Sequence, residues 1–469
     1  MATRPAFSVV EMQGDWRPLF WLALPVLAEY LLHVLVEYVD LWLTGKYLQQ
    51  THYVAAITLA GYVMWFVFNL FSFITLSATA MTARFTGAGD ARQADRVMNQ
   101  AVGLGFVWSL LLMALGWWLF DDLIRLLNLQ GAAAEATGQY LSIVLLVLPA
   151  LMMEEVGIAC LRGAGDMLTG LIVMTLVNAV NLVVSSSLLL GLGPLPEIGW
   201  RGLAIGTATA HAVGGLIILT LLIRGRAGYQ LRLRKMLPDR ELIRRLLRIG
   251  IPGGVDLLSI TACHLWFVSI ITQLGDLAFA AHGVGVRVEA LAYMPGAAFQ
   301  VAAATLAGQY LGARDFQRAR RSVLRACLVG CGLMGAAGLF FYLCSVPISE
   351  FFLHGEAVAI IPLSAQLLRI VSTAMIPLAL SMILGGALRG AGDTRWPLAF
   401  TFICLLGIRL PLAYLLAFDS IAIAGTGWVL AGYGLGVIGA WYAMIVDVFI
   451  RCLLVVTRFF QGGWMRIEV

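Results

Sequence analysis

LRGAGD, at residues 161–166, occurs a second time in this chain at residues 388–393. The two arginines, Arg162 and Arg389, are 227 residues apart, which is close to half of the 469-residue length. A six-residue identity at this spacing predicts an internal duplication, in which each half of the chain forms one structural unit.

Other segments of the two halves align at nearly the same offset. TGAGDARQADRVMNQAV at 86–102 matches LGARDFQRARRSVLRAC at 311–327, and Pro25 in LALPVLAEY matches Pro252 in RIGIPGGVDL. The duplication therefore extends well beyond one motif, and it predicts two halves with the same order of structural elements.

The composition places the chain in a lipid bilayer. Apolar residues make up 61% of it and charged residues 12%, whereas soluble domains carry roughly 25% charged residues. Apolar segments of about 20 residues, each long enough to cross the hydrocarbon core as a helix, recur from end to end. They predict an all-α polytopic membrane protein with twelve spans, at 17–44, 53–82, 98–120, 137–161, 168–192, 202–223, 247–274, 278–308, 322–346, 362–388, 396–418 and 430–457.

The distribution of basic residues predicts the orientation. Lys46, Arg125 and Arg201 fall in loops after odd-numbered spans, whereas most of the 31 Lys and Arg residues fall on the opposite face. Because Lys and Arg are retained on the cytoplasmic side during insertion, both termini are predicted to be cytoplasmic.

Each half contains six spans, so both halves enter the bilayer the same way round and form parallel repeats. The predicted domains are a six-helix lobe at 1–223, a basic linker at 224–246 and a second six-helix lobe at 247–469. Paired bundles of this kind are typical of secondary transporters with alternating access. The P-loop pattern of ATP-driven proteins is absent from the sequence, so an ion gradient is expected to supply the energy.

The basic linker is open to two interpretations, a nucleic-acid patch or an anchor on the anionic cytoplasmic leaflet. Its position between two spans favours the anchor. Membrane lipids are therefore expected as partners, and nucleic acid is not.

The repeated LRGAGD motif also has two interpretations. In the structural one, its glycines form a tight turn, Arg162 and Arg389 bind carbonyls at a helix C-terminus, and Asp166 and Asp393 cap the next helix. In the other, these residues gate the cytoplasmic face. The sequence leaves both open.

At this point the chain resembles a known family. The doubled LRGAGD, MPGAAFQVAAATLAGQYLGARD at 294–315 and YVDLWLTGKYL at 38–48 resemble the multidrug and toxic compound extrusion (MATE) antiporters over nearly the whole chain. The resemblance implies a V-shaped pair of six-helix lobes that exports organic cations and other amphipathic compounds in exchange for Na⁺ or H⁺. It also implies a bacterial inner-membrane protein without enzymatic activity or a cofactor other than the coupling cation, and we expect a monomer.

Three acids of the first span are candidates for the central cleft. Ionisable groups at bilayer depth cost about 2.5–3.5 kcal/mol on insertion scales, so each is a functional candidate. Glu29, Glu37 and Asp40 fall on one face of a helix. Asp40 occupies the place of the first-helix aspartate that, by resemblance, binds the coupling cation. The alternative is that it reaches water at the end of its span.

Neutral oxygens would complete the ion site. Asn178, Asn181 and Thr207 match family positions, whereas Ser185 stands where the sodium-binding branch has an aspartate. Na⁺ would lie at Asp40, Asn181 and Thr207, but with one carboxylate fewer, protonation of Asp40 is an equal possibility. The amides and hydroxyls could instead tie helices together.

The second lobe contributes candidates for substrate binding. Asp256 follows Pro252 as Glu29 follows Pro25, and Glu289 precedes the MPG segment. Glu289 could attract a cationic substrate or pair with Arg409. Aromatic side chains, of which Trp65 and Tyr293 are examples, could line an apolar pocket for a cation, or could belong to the core or face the lipid.

Two other functions were weighed. A flippase for lipid-linked oligosaccharide shares the repeated six-helix halves, but it needs a cationic cleft, and here the intramembrane acids outnumber the arginines. A prenyl-transfer enzyme needs paired acidic motifs for Mg²⁺, and Asp121-Asp122 is the one Asp-Asp pair in the sequence.

Overall fold

The computed structural model describes residues 8–14, 16–48, 50–126, 131–192, 196–353, 355–422 and 429–467, and these are almost entirely helical. Their α-helices are α1 Arg17–Leu43, α2 Thr51–Gly87, α3 Ala91–Trp118, α4 Phe120–Leu126, α5 Gly131–Leu146, α6 Leu148–Ala164, α7 Met167–Leu190, α8 Trp200–Ile223, α9 Arg240–Thr272, α10 Asp276–Gly312, α11 Phe316–Leu343, α12 Ser345–Phe352, α13 Ile361–Ser372, α14 Met375–Gly390, α15 Arg395–Thr401, α16 Leu410–Ala417 and α17 Gly436–Gln461. Two π-helical segments, Thr44–Leu48 after α1 and Phe402–Arg409 between α15 and α16, continue these spans. A short antiparallel pair, β1 Ser420–Ala422 and β2 Val429–Ala431, precedes α17.

The twelve predicted spans fall mainly on helix, with the start of the twelfth in β2 and the loop before α17, which confirms the all-α polytopic class. By length and hydropathy, nine helices of the described residues can cross a membrane, and two bent pairs raise the number to eleven. The first pair, α5 with α6, is bent by 57°. Pro149 lies in the first turn of α6, and proline both favours a helix start and lacks the N–H that would continue the preceding helix.

The described chain divides into two compact units. Unit 1 contains Met1–Gly254 and Gly308–Asp315, and unit 2 contains Val255–Ala307 and Phe316–Glu468. Unit 1 packs α2, α3 and α6 around a methionine-rich core, and unit 2 packs α9, α11, α13 and α17 around Phe267 and Trp441. The basic segment 224–246 belongs to unit 1. The domain boundaries at 223/224 and 246/247 stay a prediction.

The basic segment is held on α3 by side chains that bind its backbone. Asn99 donates to the carbonyl of Gln230 (3.1 Å) and accepts from the N–H of Arg232 (2.8 Å). Near it, the Tyr229 hydroxyl lies 2.6 Å from that of Thr86. Burial raises the pKa of Tyr229 to about 12, so this contact stays neutral at physiological pH. The segment therefore has a defined structure on unit 1, and its role as a lipid anchor stays a prediction.

Gln100 provides a test of this attachment. Its amide donates to the carbonyls of Lys235 and Leu237, both at 2.7 Å, and accepts from the N–H of Asp239 at 3.0 Å. We expect Gln100→Ala to lower the free energy of unfolding by about 1–3 kcal/mol, because partly buried backbone groups lose their partners. Thermal unfolding in detergent measures this. Gln139→Ala, which removes exposed bonds, is the control, and equal stability of both variants would contradict the prediction.

Candidate functional site

Asp40 lies in the last turn of α1 and is only 2% exposed. Its Oδ2 accepts from the Thr207 hydroxyl at 2.6 Å and from the Tyr140 hydroxyl at 3.4 Å, and its Oδ1 accepts from the Asn181 amide at 3.3 Å. Four helices, α1, α5, α7 and α8, therefore bring their polar side chains to one buried carboxylate.

The close packing of α7 against α8 positions two of these side chains. A Cβ at Gly206 would lie 2.0 Å from the Ser185 hydroxyl, so only glycine allows the helices to approach this closely. The approach brings the Asn181 amide within 3.1 Å of the Thr207 hydroxyl. Ser185 is fully buried and accepts from Asn181 at 3.3 Å, so it supports the amide that contacts Asp40.

Tyr140 completes the cluster, and the sequence analysis missed it. Its hydroxyl also lies 3.3 Å from that of Thr207. Its ring packs 5.7 Å from that of Trp200, whose indole N–H donates to the Ala136 carbonyl on α5. No motif marks this tyrosine, because its role depends on how α5 packs beside α8.

The cluster has the chemistry of a site for one monovalent cation. Its ligands are oxygens of a carboxylate, an amide and hydroxyls, which suit a hard cation or a proton. Asn181 Oδ1 is a buried acceptor that has no hydrogen-bond partner among the described residues. It could therefore serve a bound Na⁺ or the proton of a neutral Asp40. Among the described residues, no group of three His, Cys, Asp or Glu side chains could hold a transition metal.

One other predicted ligand, Asn178, does not join this cluster. The Asn178 amide donates to the carbonyls of Leu32 and Met174, both at 2.9 Å, so it ties α7 to α1. This is the helix-tying role that the sequence left open for the amides. The Glu37 side chain lies outside the described residues.

The repeated motif forms one ion pair of the same kind in each unit. Arg162 Nη2 lies 2.9 Å from Glu29 Oε1, and Arg389 Nη2 lies 2.6 Å from Asp256 Oδ2. Both pairs join residues 133 positions apart. The sequence analysis did not predict these acid partners, and carbonyl binding and gating by the two arginines both stay predictions.

Asp166 caps α7, as the structural interpretation of the motif predicted, and both aspartates of the motif form ion pairs. Asp166 Oδ1 accepts from the N–H of Thr169 at 3.2 Å, and its Oδ2 lies 2.7 Å from Arg226. Asp393 lies 2.9 Å from Arg458. Burial raises the pKa of Asp393, and Arg458 opposes that shift. Between arginine and aspartate, Gly165 and Gly392 have φ of 94° and 89°, which the predicted tight turn requires.

Unit 2 pairs its remaining buried acid with two arginines. Asp447 accepts from Arg409 at 2.6 Å and from Arg451 one turn along the same helix. Arg409 therefore pairs with Asp447, and the alternative pairing with Glu289 is not observed. Glu289 is half-buried and has no hydrogen-bond or ion-pair partner among the residues described.

The two aromatic candidates for a substrate pocket are exposed on their own units. Trp65 is 38% exposed and Tyr293 is 47% exposed. Neither belongs to a buried core, so the core alternative does not hold for them. Their role in substrate binding stays a prediction.

Comparisons with known proteins agree with this architecture. The family model described as MatE matches residues 25–186 and, a second time, residues 252–415. A probable multidrug resistance protein NorM of Thermotoga maritima is 29% identical over 463 residues, which cover 98% of this chain and 95% of that protein. Another of Bradyrhizobium diazoefficiens is 27% identical over 446 residues, covering 93% and 91%. The crystal structure of MATE in complex with MaL6 superposes with a TM-score of 0.86 at 21% identity over 98% of this chain and 99% of that one, so the fold is shared.

Proposed function

Because the chain belongs to the MatE family of membrane transporters, we propose that it is a secondary antiporter that exports organic cations and other amphipathic compounds in exchange for H⁺ or Na⁺. It works by alternating access in a bacterial inner membrane, with both termini in the cytoplasm, as a monomer without a cofactor. The relatives whose names describe multidrug resistance support this substrate class.

The observation that carries the proposal is the buried cluster around Asp40. An ionised carboxylate that is 2% exposed in a membrane helix is costly unless a cation or proton neutralises it. The neutral donors of Tyr140, Asn181 and Thr207 stabilise the charged form without removing its charge. The carboxylate is therefore suited to binding and releasing a single monovalent cation.

Coupling follows if the cation binds more tightly in one conformation than in the other, since tight binding alone shifts no equilibrium. When Asp40 becomes protonated, its hydroxyl needs an acceptor, and Asn181 Oδ1 is a buried acceptor of this cluster that has no donor among the described residues. When Na⁺ binds, the same oxygen is a further ligand. Either event changes the hydrogen bonds between α1, α7 and α8, and so changes which packing of these helices is favoured.

Transport by the purified protein in proteoliposomes tests this function. Ethidium and tetraphenylphosphonium serve as organic cations, with a pH gradient and a Na⁺ gradient imposed separately. We expect one of the two gradients to drive accumulation of at least one cation above that of protein-free liposomes. No gradient-dependent transport of any cation in a broad panel would contradict the proposal.

The alternative function, a lipid-linked oligosaccharide flippase, requires unpaired cations at bilayer depth for a pyrophosphate. Arg389 is bound to Asp256, and Arg409 and Arg451 are bound to Asp447. These pairs leave little positive charge for an anionic lipid, so the antiporter is the better supported function.

A further inference from the structure

Unit 1 contains a second buried acid whose partner is a histidine. His211 Nδ1 on α8 lies 3.0 Å from Glu154 Oε2 on α6. His211 is 7% exposed and Glu154 is 2% exposed. The sequence analysis did not identify this pair, although His211 follows Thr207 by one helical turn.

We propose that the His211–Glu154 pair is a second proton-binding site, so that unit 1 binds two protons in each transport cycle, one at Asp40 and one at this pair. The inference deepens the proposed function and rests on it for the role of Asp40. It also assigns the coupling cation as H⁺.

The pair is placed beside the Asp40 cluster by the geometry of α8. Residues four apart on a helix lie on the same face, so Thr207, which donates to Asp40, and His211, which contacts Glu154, point the same way. Glu154 is held there by close packing, because a Cβ at Gly214 would lie 2.8 Å from its Oε2. The α8 partners of the two buried acids are thus one helical turn apart along a common face of that helix.

The proton has a defined place in this pair. With its own proton on Nδ1, the neutral imidazole donates to the Glu154 carboxylate, and the pair carries one negative charge. The additional proton binds at Nε2, where the adjacent carboxylate stabilises the imidazolium. The charge of the pair then changes from −1 to 0, which is the same change that protonation produces at Asp40.

The surrounding charges favour uptake of this proton. Four acids of the described spans of unit 1 are buried or half-buried, namely Asp40, Glu29, Glu154 and Glu155. Arg162 balances one of them through its bond to Glu29. The titratable groups that act on His211 are Asp40 and His33 from α1 and Glu154 and Glu155 from α6. Three are acids, and carboxylates at bilayer depth lower their energy by accepting protons.

Unit 2 lacks this excess of acid at the corresponding pairs. Asp256 is bound to Arg389, and Asp447 is bound to both Arg409 and Arg451. With the half-buried Glu289, three acids are therefore set against three arginines. The charge difference between the units places proton binding in unit 1.

The first experiment measures proton binding directly and does not depend on transport. The chain contains six histidines, so ¹⁵N-histidine labelling of the full chain in lipid nanodiscs gives few side-chain signals, and His211→Asn identifies the one of interest. We expect this signal to titrate, and Glu154→Gln to weaken its proton affinity about tenfold or more. His282, whose Nδ1 accepts from Trp441 at 3.2 Å, is the control and should be unaffected by Glu154→Gln. A His211 signal that does not titrate, or that ignores Glu154→Gln, would overturn the inference.

The second experiment measures how many protons exchange for each organic cation. The reversal of ethidium flux under opposed pH and ethidium gradients gives this ratio in proteoliposomes. We expect two protons per ethidium for the unmodified protein and for His282→Asn, and one proton per ethidium for His211→Asn. Glu154→Gln should give the same loss, and it replaces His211→Asn if that variant does not fold.

The two experiments separate the possible failures. If the gradient drives ethidium transport but His211→Asn leaves the number of protons per ethidium unchanged, the second proton site is overturned. The antiporter function is then retained. Conversely, if His211 titrates but the protein transports no organic cation, the proton site is retained and the proposed substrate class is overturned.

Discussion

Asp40→Asn is expected to lower ion-driven export strongly while the protein remains folded. Asparagine has nearly the shape of aspartate and can still accept the hydrogen bond from Thr207, but it carries no charge for a cation to neutralise. Without the charge of Asp40, the gradient shifts the conformational populations only through the proton that binds at His211–Glu154, and it shifts them much less. We expect the rate of gradient-driven ethidium export to fall about 100-fold, in the upper part of the usual range for coupling between two sites.

Two measurements distinguish lost coupling from a damaged protein. Exchange of labelled for unlabelled ethidium without an ion gradient needs no coupling, so Asp40→Asn should retain it. The midpoint of thermal unfolding of Asp40→Asn in detergent should be close to that of the unmodified protein. Asp276→Asn, an exposed aspartate in the first turn of α10, serves as the matched control. Export by Asp40→Asn that responds fully to the gradient would exclude the coupling role.

The fold was largely predictable from the sequence, because its determinants are repeated and local. Twelve apolar segments predict helices wherever they occur, since a helix satisfies its own backbone groups in lipid. The duplicated LRGAGD then predicts that both halves share one order of elements. The bend between α5 and α6 was not predicted, although Pro149 was a signal for it.

The candidate site was predictable only in part. The structure brings Asn181 and Thr207 to Asp40, as the resemblance implied. Tyr140 and the binding of Asn178 to Leu32 could not be anticipated, because both depend on how separate helices rotate about their axes when they pack.

The partners of the two repeated arginines could have been predicted from the sequence but were not. Glu29 and Asp256 each follow a proline by four residues, and each arginine follows its acid by 133. A duplicated acid at a constant distance from a duplicated arginine is a signal for a conserved geometry within each repeat. Because the acids were interpreted as substrate-binding groups and the arginines as helix-end or gating groups, their pairing was not predicted.

Asp256→Ala is expected to destabilise unit 2 strongly, by about 3–5 kcal/mol, because it leaves the Arg389 guanidinium in a buried site without its counter-ion. Asp256 is fully buried, accepts two hydrogen bonds from Arg389 at 2.6 and 3.1 Å, and accepts a third from the Thr401 hydroxyl. Thermal unfolding of the purified protein in detergent would show the loss as a lower midpoint and a lower yield of folded protein.

The double variant Asp256→Leu with Arg389→Met identifies the cause. Replacing both members of a buried ion pair by apolar residues of similar size is often neutral or stabilising, so this variant should recover most of the stability lost by Asp256→Ala. A substrate-binding role for Asp256, which the sequence analysis considered, predicts the opposite pattern. In that case Asp256→Ala would unfold normally and bind organic cations more weakly, and the double variant would restore nothing. Because Arg389 already occupies the Asp256 carboxylate, we expect stability to change and organic-cation affinity in the folded fraction to stay the same.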